Sequence, residues 1–159
     1  MTHRSRAAYK EAVEPFERPA GGGSEGPYQV QYDLQNMMQA NVGIVRLQNE
    51  MEFALDGIQK LKARAMKVAV QGHLEYNPGW HTAIDLKHLL TISEAITICS
   101  LDRKESRGGH FREDFPNKDP EAAKYNAVIS RAADGSMKLR REPIPPMPEE
   151  LKQVIEEMK

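Results

Sequence analysis

Residues 102 to 119 read DRKESRGGHFREDFPNKD, and their types could do chemistry. Arg103, Lys104, Arg107 and Arg112 alternate with Asp102, Glu105, Glu113 and Asp114 around Gly108, Gly109 and His110. Guanidinium forks at this density can clamp a dicarboxylate bidentately. They can equally form a salt-bridged joint between two parts of a larger protein, with the glycine pair letting the backbone leave a helix and turn sharply. The carboxylates nearly match the positive charges, which favours the joint, because a clamp should present unpaired positive charge. The candidate joint residues are Arg103, Glu105, Arg107, Gly108, His110, Arg112 and Asp114, with no catalytic, cofactor-binding or metal-ligating role assigned to any of them. Loss of Arg107 is expected to weaken docking while leaving helix content nearly unchanged.

Other reactive types have plainer readings. His81 and His88 stand about two helical turns apart, too far for the adjacent-turn pair of a zinc helix, and no cysteine pair assists. Met37, Met38 and Met51 fall on helical stripes, where methionine is ordinarily core filler. Trp80 and Tyr76 flank Pro78 and Gly79 and are expected to cap the end of a helical bundle. Cys99 is the single cysteine and sits in an apolar helical pattern, which fits a structural thiol in a reducing compartment.

The elements that must position these groups follow from apolar periodicity. Residues 1–26 form a lead-in with a short helical possibility and a Gly-rich linker from Gly21 to Gly26. Pro27 can open a first long helix, whose apolar positions Val30, Leu34, Met37, Met38, Val42, Ile44 and Val45 run on to about Arg46. Asn49 and Glu52 have capping-box spacing for a second helix along Met51, Ala54, Leu55, Ile58, Leu61, Ala65 and Val68. Gly72, Pro78 and Gly79 break it. A third helix is predicted from about Thr82 to Arg107, with Ile84, Leu89, Ile92, Ala95, Ile96 and Cys99 on its buried stripe. Three such helices bury their stripes most economically against one another. The fold class is therefore mainly α, an antiparallel three-helix bundle (spectrin-repeat-like) over 27–116. Residues 117–159 add a β-hairpin turning at Asp134-Gly135, a Pro-rich extended tail, and a short terminal helix carrying Leu151, Val154, Ile155 and Met158.

Charge excludes some partners. With 22 Lys and Arg against 23 Asp and Glu, the formal net charge of -1 gives no electrostatic reason to propose nucleic acid. No run reaches the roughly 18 to 20 apolar residues a membrane span needs, so no direct membrane insertion is expected.

The strings LQNMMQANVGIVR (34–46) and AITICSLDRKESRGGHFREDFPNKD (95–119), joined by a second bundle helix and followed by a hairpin, resemble the C-terminal domain of the succinate dehydrogenase and fumarate reductase flavoprotein subunit. L-Aspartate oxidase has a related domain. The lead-in EPFERPAGGGSEGPY and the continuation REDFPNKD favour the dehydrogenase and reductase branch. The resemblance implies FAD in the complete subunit and none bound by this chain, which has no GxGxxG turn after a strand. It implies as partners the FAD-containing catalytic domain of the same subunit and an iron-sulfur subunit, with a cytoplasmic location at the inner face of the membrane through the rest of the complex. It also implies that the 103–114 segment packs toward the flavin domain while substrate contacts come from elsewhere, so the chain alone is expected to be inactive. The alternative is a free-standing helical module that docks on a flavoprotein or another partner.

Overall fold

The computed structural model describes residues 3–18 and 25–158, so Gly21, Gly22, Gly23 and Ser24 of the expected linker lie outside the described residues. Helix α1 (His3–Glu17) precedes them. Helix α2 (Pro27–Asn41) opens at Pro27 behind an extended Gly26, as the missing N–H of proline favours. It stops at Asn41 rather than near Arg46. Gly43 lies so close to the last turn that an added Cβ would come within 2.9 Å of the Gln39 carbonyl oxygen. Val42, just before that contact, stays in the core, and beyond it Val45–Arg46 becomes strand β1.

Helix α3 (Gln48–Ala65) follows directly, with an extended Leu47 as its N-cap and no side-chain cap from within the segment. The expected Asn49–Glu52 capping box is absent because the helix has already begun at Gln48. Helix α4 (Pro78–Asp102) starts ahead of the predicted Thr82, since Asn77 Oδ1 accepts from Trp80 N at 3.1 Å and Pro78 occupies the first turn. The residues expected to break structure here begin it. The helix ends at Asp102 instead of Arg107, because Arg103 turns to extended backbone.

The three long helices form an up-down-up bundle. Arg64 at the end of α3 bonds Glu25 and Asp33 at the start of α2, and Leu101 at the end of α4 packs with Met51 at the start of α3. The core joins Val30 and Leu34 of α2, Ile58 and Leu61 of α3, Leu86 and Leu90 of α4, and Val68. Met37 and Met38 pack against this cluster and against a second one of Val42, Met51 and Ala54, the filler role expected of them.

The inward face of α4 differs from the predicted stripe. Leu86, Leu90, Thr97 and Ser100 are buried, whereas Ile92 and Ile96 are 58% and 44% exposed. This helix is apolar on nearly every side, so periodicity alone does not select its buried face.

A hairpin of β3 (Tyr125–Arg131) and β4 (Met137–Pro143) follows, in the register Arg131↔Met137 to Tyr125↔Pro143. Gly135 takes φ +87° in its turn, and Asp134 Oδ1 accepts from Ser136 N at 2.9 Å. Arg141 forks onto Asp102 at 2.7 and 3.1 Å and lies over the Tyr125 ring, which fastens the hairpin to the end of α4. The terminal helix α5 (Glu149–Glu157) forms as expected and buries no residue.

Trp80 holds α1 through Nε1–H to the Ala12 carbonyl at 2.6 Å and a tilted contact with Phe16. Tyr76, expected beside it as a cap, is instead 99% exposed at φ +53°.

At Gly57 an added Cβ would lie 2.3 Å from Met37 Sδ, so the Met37 side chain would have to leave its place between α2 and α3. Gly57→Ala gains about 0.5 to 1 kcal/mol of helix propensity but overpacks a core contact, which typically costs about 1 to 3 kcal/mol. Denaturant unfolding should show net destabilisation of about 1 kcal/mol. In a Met37→Ala background the same change should become stabilising.

Candidate functional site

The candidate residues converge at one end of the bundle, where α4 stops, α3 starts and α2 has just ended. The sequence carries the backbone there by local means. Arg107 and His110 exchange backbone hydrogen bonds of 2.8 and 3.1 Å across Gly108-Gly109, with Gly108 at φ +59°. Strand β2 (Phe111–Arg112) then pairs in parallel with β1, placing Val45 beside Phe111 and Arg46 beside Arg112.

Two carboxylates organise the arginines. Glu105 is fully buried and accepts from Arg103 Nε (2.8 Å), Arg107 Nε (3.0 Å), Arg107 Nη2 (2.9 Å) and the Asp119 amide (2.8 Å). Arg103 also donates to the Ala122 carbonyl, tying in the 3-10 turn Ala122–Lys124 that leads to the hairpin.

Arg112 is equally buried. Its Nε and Nη2 fork onto Asp114 at 2.7 and 2.6 Å, and Nη1 faces the carbonyls of Ser100, Leu101 and Arg103 at 3.0, 3.4 and 3.4 Å. Asp114 Oδ2 in turn accepts from Gln48 N at 3.2 Å, at the first residue of α3. Ser106 Oγ accepts from Arg112 N at 2.8 Å and lies within donating distance of the Phe115 and Arg112 carbonyls.

His110 is neutral in this setting. Burial pushes its pKa down, and Arg46, Arg112 and Arg103 push the same way against the Arg103 carbonyl bond. Its Nδ1 accepts from Arg46 Nη1 at 2.6 Å, and Nε2–H faces the Arg103 carbonyl at 3.0 Å.

All seven predicted joint residues therefore belong to one network with its turn, but the centre differs from expectation. Arg107 is 38% exposed and Arg112 is the buried arginine. Glu113, counted as a counter-ion, is exposed and makes no ion pair among the described residues. Lys104 is also exposed and lies 5.8 Å over the Phe115 ring. The sequence reading missed Arg46, Ser106 and the Gln48 amide. A β-branched pair after Gly43 was the available sign that residues 44–46 leave the helix. No group of three or more His, Cys, Asp or Glu among the described residues is placed to hold a metal ion.

The fold and this arginine-carboxylate end define a helical-bundle domain whose charged network is structural and internally bonded. The family described as the fumarate reductase flavoprotein C-terminal region matches residues 31–155, and the chain belongs to that family. A fumarate reductase flavoprotein subunit of Mycobacterium tuberculosis is 29% identical over 125 residues, which cover 78% of this chain and 21% of that subunit. The corresponding Helicobacter pylori subunit is 35% identical over 100 residues, covering 62% of this chain and 14% of the subunit. The structure of Mycobacterium smegmatis Sdh1 in complex with UQ1 superposes with a TM-score of 0.82 at 34% identity, covering 96% of this chain and 26% of that one. The chain thus spans about a fifth of the length of the first of these relatives.

Removing Arg112 strands Asp114 and leaves the α4 carbonyls without their cation. Arg112→Met is expected to destabilise the chain by about 1 to 3 kcal/mol, the usual penalty for leaving buried acceptors without a donor. Arg107→Ala should be far milder, and chemical denaturation of both variants checks the order.

The network also sets an acid limit. Hydrogen bonds from Arg107, then the Asp119 amide and Arg103, outweigh burial and hold the Glu105 carboxyl at about 2. Arg112 likewise lowers Asp114. Both folded values lie below those of an unfolded carboxylate, roughly 4. Their contribution is therefore complete above that value and lost as pH falls from about 4.5 toward 2. Denaturation midpoints measured across this range should drop for wild type, whereas Glu105→Gln should show a shallower acid limb.

Proposed function

We propose that this chain is the C-terminal helical region of a succinate dehydrogenase or fumarate reductase flavoprotein subunit. There it would pack against the FAD-containing region that interconverts succinate and fumarate, with the 103–114 network at the joint. The observation that carries this reading is the family match over residues 31–155, together with the resemblance of RKESRGGHFREDFP to the family's string.

Among the described residues the strand-to-helix junctions do not fit a flavin pyrophosphate. The one within the bundle, β1 to α3, runs Arg46-Leu47-Gln48 without glycine, and the first amide of α3 is already taken by Asp114. In this reading FAD and the dicarboxylate belong to the preceding region, and the bundle contributes a rigid support. The resemblance extends the reading to an iron-sulfur subunit as electron acceptor and to a complex at the inner face of the membrane. No described helix is long and apolar enough to cross a membrane, so attachment there would come through the rest of the complex.

The test is to express the chain alone and joined to the reading frame upstream of it. Flavin absorbance and succinate-dependent dye reduction are expected only with the upstream region present. A purified 159-residue chain with a flavin spectrum would overturn the proposal.

A further inference from the structure

The charges at the joint do not balance: Arg103, Arg107, Arg112 and Arg46 stand against Glu105 and Asp114. Glu105 is shared by Arg103 and Arg107, Asp114 takes Arg112, and His110 is neutral. Arg46 is half-buried, and no carboxylate among the described residues lies within ion-pair distance of it. Its Nε donates to the Gly43 carbonyl and its Nη1 to His110 Nδ1, both at 2.6 Å and both neutral acceptors. Nη2 has no acceptor among the described residues. Burial and the neighbouring Arg112 push the Arg46 pKa down, as for a cation that has lost water without gaining an anion.

The segment that carries this cation also exposes apolar side chains. Ile44 is 70% exposed, Val45 50% and Phe111 39%; the ladder sets Val45 and Phe111 on the face opposite Arg46 and Arg112, and Ile44 stands two residues before Arg46. A half-buried cation without an anion, on a segment with exposed apolar side chains, has the composition of an interface.

Charge decides what can cover it. A second copy meeting this patch across a two-fold axis would bring Arg46 against the same cationic surface, which is repulsive. A free dicarboxylate would want a second unpaired cation and a cleft. Arg103, Arg107 and Arg112 are already engaged, and neither the cleft along residues 25–28, 69–71 and 77–79 nor the one beneath α1 is lined by Arg46.

We propose that Arg46 anchors the joint by taking a carboxylate side chain of the flavin-containing region, while the exposed Ile44 packs on an apolar residue beside that carboxylate. This rests on the flavoprotein reading above and names the contact by which the bundle is held. The 103–114 arginines then serve to build the platform, and Arg46 makes the ion pair across the joint.

The experiment titrates the 159-residue chain into the flavin-containing part of the same flavoprotein expressed without this region, with affinity read by calorimetry. Arg46→Met is expected to weaken binding at least tenfold, since one charge of a desolvated pair is left alone. Arg46→Lys should recover only part of it, because the fork is lost. Ile44→Asp changes an exposed side chain, so it tests the surface without endangering the fold, and it should also weaken binding at least tenfold by repelling the incoming carboxylate. Weakening by both Arg46→Met and Ile44→Asp, with succinate in excess having no effect, supports the proposal. Equal binding by Ile44→Asp and wild type, or displacement of the wild-type chain by succinate, overturns it while leaving the flavoprotein reading intact. A wild-type chain that does not bind at all overturns both.

Discussion

The structure hangs on the ion pair between Arg112 and Asp114, because that pair joins two helix ends of opposite polarity. The C-terminus of α4 exposes carbonyls with a partial negative charge, and Arg112 Nη1 sits among them at 3.0 to 3.4 Å. The N-terminus of α3 exposes amides with a partial positive charge, and Asp114 accepts from the Gln48 amide there. Each charge satisfies its helix end and its partner at the same time. That explains how a fully buried guanidinium is tolerated: five oxygens surround it, two of them on one carboxylate, and the Phe115 ring stacks at 4.9 Å.

From this pair the rest of the charged end follows. Fixing Arg112 fixes β2, and β2 fixes the register of β1, which sets Arg46 beside it. Glu105, six residues earlier than Phe111 in the chain, gathers Arg103 and Arg107 and reaches the Asp119 amide, so the path to the hairpin is also held. The opposite end of the bundle has a different construction. There Arg64 bonds Glu25 and Asp33, and α1 is attached through Trp80 and through Arg18 to the Val68 carbonyl at 2.7 Å. The long helices thus separate a network-bearing end from the end that receives α1.

How much of this was legible in the sequence depends on whether its cause was local. The three bundle helices, the filler methionines, the hairpin and the terminal helix all come from periodicities and turn residues that neighbours in the chain express. What failed had distant causes. Val42, Ile44 and Val45 continue a helical spacing, but β1 exists because Phe111 and Glu113 donate to Ile44 and Arg46 carbonyls from far along the chain. The Asn49–Glu52 box had the right letters, yet the cap arrives from Asp114, 66 residues away. For α4 the difficulty was an excess of signal: the predicted stripe took Ile92 and Ile96, whereas Leu86 and Leu90, equally apolar, are the ones that α2 and α3 cover. In the candidate site the residue types pointed to a segment whose charged groups bond one another, but the charge count included Glu113, which makes no ion pair among the described residues. Arg46 escaped because it lies outside the segment whose composition drew attention.

Three features have no compensation within the described residues: the exposed Ile92 and Ile96 on α4, the uncovered apolar stripe of α5 with Val154 and Ile155, and the unpaired Arg46. They differ in what they demand. Exposed aliphatic side chains are common on protein surfaces and are satisfied by any apolar neighbour or by none. A half-buried guanidinium is more selective, because water has been partly removed and only an anion restores what was lost. Covering the α4 stripe would therefore add affinity without direction, whereas meeting Arg46 requires a carboxylate at one place on the partner. Since the ribbon carrying Arg46 is held in register by the buried Arg112 and its partner Asp114, that requirement is also rigid in space. The internal ion pairs thus fix the position of an arginine that itself has no carboxylate among the described residues.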